Sequence, residues 1–304
     1  MAEGVSEETV RSLETAARRA RHAVLGMIRS AGRGHPGRSL AVCDLLVALY
    51  RSELRVDVAR PDDPVRDRLV LADPDAAPAL YAALADRGFV SPDELADYGR
   101  AGRRLPVRPD RTRLPGVDVS AAAPGIGVAV GVGLALGARL GPHPFRTYVL
   151  VGESDRAAGI GWEALAAAGH ARLADLVVIL TRSGAPGPDP ATERLRSLGY
   201  LALDVDGHDP RSIVTALGEA RRTRDRPTAI LALTVPGRGV PAFEATAEAA
   251  DTGPTDTGPT DAELDRALAE MAAPPSGRPP VTPSGAPEDL RDACAARSSP
   301  WRTR

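Results

Sequence analysis

An alternation in the second half of the chain constrains its fold more than any other feature. Short apolar runs at 147–151, 176–180, 201–205 and 228–234 are separated by helical stretches at 161–172, 192–198 and 210–222. The runs are largely apolar rather than apolar at every second residue, which is how strands buried on both faces read. Parallel neighbours need crossover connections, and helices supply them, so the expected fold class is α/β. More specifically, it is a doubly wound, mostly parallel sheet with helices on both faces. Ligands of such sheets bind beyond the carboxyl ends of the strands, which directs attention to the loops after Val151 and Leu180.

The first half is helical at its start. Val10, Leu13, Ala17, Ala20, Val24 and Ile28 recur at spacings of three and four, giving one apolar stripe over 6–30. The stripe stops at Ala31-Gly-Arg-Gly, where glycines end helices readily. Ser39 is expected to cap a second helix reaching about residue 50. A buried strand is expected at 69–71, with helices over 75–87 and 92–102. From residue 246 the character changes: Asp251-Thr-Gly-Pro-Thr repeats at once from Asp256, a helical stretch covers 261–271, and Pro, Ser and Gly dominate the rest. Residues 1–245 are therefore expected to form the folded domain, and 246–304 a flexible, disordered C-terminal tail that buries little apolar surface.

Charge and composition exclude several classes of function. The formal net charge is −2 and aromatics make up 3%, so neither a global positive field nor a base-stacking platform is present. No nucleic-acid or membrane partner is expected. The apolar stretch at 125–140 is short for a bilayer crossing and rich in glycine. The polar, acid-containing start is unlike a signal peptide, and the two cysteines have no metal or redox spacing. These features lead to the expectation of a soluble, cytoplasmic protein.

A series of motifs then narrows the reading. They are Met27-Ile-Arg-Ser-Ala-Gly-Arg-Gly-His-Pro-Gly-Arg-Ser-Leu, then Arg66-Asp-Arg-Leu-Val-Leu, Leu114-Pro-Gly-Val, Trp162-Glu-Ala, Val205-Asp-Gly-His-Asp and Thr234-Val-Pro-Gly-Arg-Gly-Val. In this order, over roughly 8–245, they resemble the amino-terminal half of the transketolases. The resemblance implies a thiamine diphosphate enzyme that transfers a two-carbon ketol unit between sugars or sugar phosphates. This half grips the diphosphate and its magnesium, and a pyrimidine-binding half supplies the activating glutamate. A chain carrying only the first half resembles one subunit of a split transketolase, whose partner is the C-terminal-half subunit.

The resemblance also implies the site residues, and there the pattern departs from the family. His35 in Gly34-His-Pro-Gly matches a family histidine and is the candidate catalytic residue; the alternative is that it packs a tight turn between helices. The diphosphate loop reads Gly152-Glu-Ser-Asp-Arg-Ala-Ala-Gly159, with Glu153 where the family has aspartate and Ser154 where it has glycine. Ser183 stands at the asparagine position of the next loop. The implied metal ligands are Glu153, Ser183 and the neighbouring Asp155, since magnesium takes hard oxygens. The implied cofactor contacts are Gly152, Ser154, Ser183, Asp75 in place of a histidine, and Pro124 within 120–127. Arg108 replaces another histidine, and Arg108 or Arg156 turned inward would neutralise diphosphate charge. His208 is read as a cap for the following helix. Three functions follow: a divergent transketolase-type subunit, in specialised metabolism; a non-catalytic partner keeping fold and interface but not cofactor; or a small-molecule binding domain with a new ligand in the old cleft.

Overall fold

The computed structural model describes residues 5–120, 123–185, 187, 189–245 and 259–272. The first half supplies α1 (Glu7–Ala31), α2 (Pro36–Ala41), α3 (Cys43–Ala48), β1 (Arg68–Leu71), α4 (Ala77–Arg87) and α5 (Ile126–Leu140). Then come β2 (Thr147–Val151), a single turn α6 (Glu153–Arg156), α7 (Gly159–His170), β3 (Leu176–Arg182) and α8 (Pro190–Ser197). The chain continues through β4 (Leu201–Asp206), α9 (Pro210–Arg222), β5 (Thr228–Leu233), α10 (Pro241–Ala245) and α11 (Asp261–Ala272).

The five strands form one parallel sheet in the order β1-β2-β3-β5-β4. Its register sets Val70 beside Val149, Val149 beside Val178 and Val178 beside Ala229, so one row of apolar side chains faces one layer. That row packs with Val128, Val132 and Ala135 of α5, Leu165 and Ala168 of α7, and Ala191 and Leu195 of α8. The opposite row, including Leu69, Tyr148, Ile179 and Ile230, packs with α1, α3, α4 and α9. Helices cover both faces because successive strand side chains point opposite ways and both sets are apolar.

Local chemistry explains the element ends. Ser6 caps α1 by accepting from the Thr9 amide at 3.2 Å, and Gly32 closes it at φ 65°. Ser39 does not cap the second helix as expected. The helix starts earlier, at Pro36, whose fixed φ suits a first turn, and the buried Ser39 hydroxyl donates to the Asp75 carbonyl at 3.3 Å. The predicted 92–102 helix is only a short 3₁₀ segment, Pro92–Asp97. Among the described residues no helix is long and apolar enough to cross a membrane.

The segment assigned to a flexible tail contains a docked helix. Leu264 and Ala267 of α11 are fully buried in the core that includes α1, with Leu268 and Met271 packed partly against it. That stripe at spacings of three and four is enough to hold a helix against the domain, although the Pro- and Gly-rich sequence around it hides the signal. The remaining expected tail, 246–258 and 273–304, lies outside the described residues.

Candidate functional site

The carboxyl ends of β1, β2 and β3 lie side by side, and three loops meet there. After β2, Gly152 leads into α6, which presents Glu153 and Ser154 to solvent. After β3 comes Ser183. The Glu153 carboxylate spans the gap: it accepts from the Ser183 amide at 2.8 Å and from the Ser183 hydroxyl at 2.9 Å. Both oxygens therefore face the end of β3, and each retains lone pairs.

After β1, the chain turns at Asp73, whose side chain accepts from the Asp75 amide at 3.0 Å. Asp73 is buried and lies directly on Gly152: a Cβ there would come within 2.5 Å of the Asp73 Oδ2. Glycine is thus required at 152 by the close approach of a carboxylate. Burial raises the Asp73 pKa, while Arg38 and His35 pull it down. His35 is the residue preceding α2 and is partly buried, with no capping bond from its side chain.

Arg38, from the first turn of α2, reaches this cluster. Its NH1 lies 3.1 Å from the Ser154 hydroxyl, 3.5 Å from Asp75 Oδ2 and 3.6 Å from Asp73 Oδ2. Gly152, Glu153, Ser154, Ser183, Asp75 and His35 are therefore gathered at one end of the sheet. Two of the sequence-implied residues are placed differently. Asp155 is only 2% exposed and turns inward, with Oδ1 accepting from the Gly125 amide at 2.8 Å and Oδ2 left without a partner. Burial pushes its pKa up to about 6, partly offset by the Gly125 N–H and reinforced by Asp73. Pro124 is exposed just before that same Gly125. Among the described residues no group of three or more His, Cys, Asp or Glu could by itself hold a metal ion.

The arginines considered from sequence are otherwise engaged. Arg156 donates to both oxygens of Asp189, at 2.8 and 2.7 Å, and to the Thr181 carbonyl at 3.3 Å, tying the β2 and β3 loops together. Trp162 supports the same turn by donating to the Arg156 carbonyl at 2.7 Å. Arg108 is exposed. The guanidinium inside the cluster is instead Arg38, and its acidic partner is Asp73. Sequence reasoning singled out neither, although Arg38 falls within a motif it quoted.

His208 does not cap α9. Asp209 does, accepting from the Arg211 and Ser212 amides at 3.0 and 3.1 Å. His208 accepts from the Val235 amide at Nε2, 2.8 Å, so its proton is on Nδ1, which donates to Asp44 at 2.7 Å. This holds the loop after β5, and that loop in turn braces the turn carrying His35, through the Gly237 amide to the Gly37 carbonyl at 3.0 Å.

A parallel sheet with polar side chains gathered beyond the carboxyl ends of adjacent strands is an α/β domain of the doubly wound class, which binds ligands at such ends. Residues 12–258 match the family model described as transketolase, thiamine diphosphate binding domain. The chain belongs to that family. It is 34% identical over 229 residues to the 6-deoxy-6-sulfo-D-fructose transketolase subunit SqwG of Clostridium sp. (strain MSTE9), covering 72% of this chain and 83% of that one. It is 32% identical over 246 residues to transketolase-like protein 2 of Bos taurus, covering 78% of this chain but 39% of that protein. The transketolase of Campylobacter jejuni shares the fold at a TM-score of 0.72 and 24% identity, over 86% of this chain and 46% of that one. The chain thus spans less than half the length of these two transketolase-type proteins and most of the clostridial subunit.

Proposed function

We propose that this chain is the diphosphate-binding subunit of a split transketolase-type transferase, working with a separate pyrimidine-binding subunit. The observation that carries the reading is the Glu153–Ser183 pair joining the ends of β2 and β3. Magnesium keeps several waters and needs only one or two protein oxygens when phosphates complete its shell. One carboxylate and one hydroxyl fit that requirement, and Asp155, facing the start of α5, lies outside it. Thiamine diphosphate, when bound, supplies the electron sink for transfer of a two-carbon ketol unit. Glu153 and Ser183 would hold the metal, and Gly152 and Ser154 would line the diphosphate. His35 would exchange protons with substrate hydroxyls, a task suited to imidazole near neutral pH. The chain would act in the cytoplasm on a sugar or sugar phosphate, in specialised rather than housekeeping metabolism, because Asp75 and Arg108 replace residues that face substrate in the family.

A second reading, a non-catalytic partner that keeps fold and interface, is favoured by one observation. Asp73, Asp75, Glu153 and Asp155 crowd the two strand ends where a polyanion would bind. Calorimetric titration of magnesium and thiamine diphosphate into the chain mixed with its pyrimidine-binding partner separates the two. Heat of binding, with a magnesium dependence that Glu153→Ala removes, is the result expected for the enzyme. Silence in the mixture leaves the non-catalytic partner.

A further inference from the structure

Arg38 sits on an unusually constrained piece of backbone. Pro36 sets the first turn of α2, the Gly37 carbonyl accepts from the Gly237 amide, and the next residue, Ser39, is buried and bonded to the Asp75 carbonyl. The side chain is therefore aimed from a braced turn into the cluster at the ends of β1 and β2. There it meets Asp73, Asp75 and the Ser154 hydroxyl at once. It also acts electrostatically on the buried Asp155. A single guanidinium thus offsets the charge of several carboxylates at the point where the proposed diphosphate loop begins.

Carboxylates and phosphates compete for the same donors. A guanidinium presents five N–H groups in a planar fork that pairs with either, and a diphosphate brings more negative charge to that fork than a single carboxylate. Without Arg38, a diphosphate approaching Ser154 would meet Asp73 and Asp75 without the compensating charge of the guanidinium. A metal held by one carboxylate and one hydroxyl also leaves more phosphate charge to be neutralised by protein.

We propose that Arg38 is the phosphate anchor of this site, held ready by Asp73 and Asp75 and transferred from them to the diphosphate on binding. Asp75, the more exposed of the two carboxylates, is the competitor that sets the affinity. The proposal rests on the reading that this chain binds a diphosphate ester.

The test is a calorimetric titration of the full chain, mixed with its pyrimidine-binding partner, with inorganic pyrophosphate and, separately, with thiamine diphosphate, at fixed magnesium and ionic strength. Arg38→Gln should weaken both by about tenfold to a hundredfold, the range of a charge-assisted hydrogen bond. Asp75→Asn should tighten both several-fold, a gain that misfolding cannot produce. Combining the two substitutions should shrink that gain to the relief of direct repulsion by Asp75, because the remainder acts through Arg38. Equal affinity of Arg38→Gln and the unsubstituted chain, or no tightening in Asp75→Asn, overturns the anchor while leaving diphosphate binding intact. Failure of the unsubstituted mixture to take up either ligand overturns the anchor and the diphosphate reading together.

Discussion

Asp44 governs the shape of a loop almost two hundred residues away in sequence. The fully buried carboxylate takes hydrogen bonds from Arg21 and from the Nδ1 of His208, whose other nitrogen holds the Val235 amide. Burial raises the Asp44 pKa, but Arg21 and the His208 hydrogen bond more than offset it, and the net shift is downward. The sign for stability follows. A carboxylate whose pKa is lower folded than unfolded stabilises above its unfolded value, and that contribution is lost as pH falls through the folded value. Asp44→Asn should therefore destabilise at neutral pH by about 3–5 kcal/mol, because it leaves Arg21 buried and uncompensated. Urea unfolding at a series of pH values should show this difference shrinking below about pH 4. A difference that stays constant down to pH 3 would count against the account. The motif around His208 was readable in the sequence. Its partner was not, since Asp44 and His208 meet only when α3 and the start of α9 pack together.

At the scale of elements, α5 shows why a glycine-rich apolar stretch becomes a helix. Gly131 lies against β2: a Cβ there would come within 2.3 Å of the Val149 side chain. Gly133, on the other side of the same helix, would place a Cβ in open space. The two alanine substitutions should then act in opposite directions. Gly131→Ala forces α5 off the sheet and should destabilise by about 1–3 kcal/mol, as overpacking does. Gly133→Ala removes only backbone freedom and should stabilise by about 0.5–1 kcal/mol. Thermal unfolding of the pair provides the comparison, and two shifts of the same sign would contradict the packing described. The apolar run at 125–140 was visible in sequence, but not which glycines face the sheet, because that depends on the helix's rotation.

For the molecule as a whole, the sheet and its two helical layers account for the fold up to residue 245, and α11 adds a late clasp onto α1. Leu264 is fully buried in that contact, while the Arg29–Asp265 pair at its edge, 2.8 Å apart, is half-exposed on both sides and contributes little. Leu264→Ala should lower stability by about 2–4 kcal/mol if the clasp unfolds with the rest of the domain. A cooperative transition unchanged in midpoint would mean that α11 detaches without consequence. Part of the candidate site lies in continuous stretches of chain, and Gly152, Glu153 and Ser183 follow directly from where strands end. Arg38 and Asp73 come from separate segments, which is why sequence motifs passed over them.

The sequence by itself determined the parallel α/β sheet, the family, and the loops proposed to form the site. Each of these depends on local periodicity or on contiguous motifs, and both are written along the chain. Only the tertiary structure decided which arginine stands among the carboxylates and which acid is buried away from the cleft. It also decided that a short helix in a Pro-rich stretch is docked. Those outcomes depend on distances between segments far apart in sequence, and packing sets such distances by filling the core rather than by local pattern.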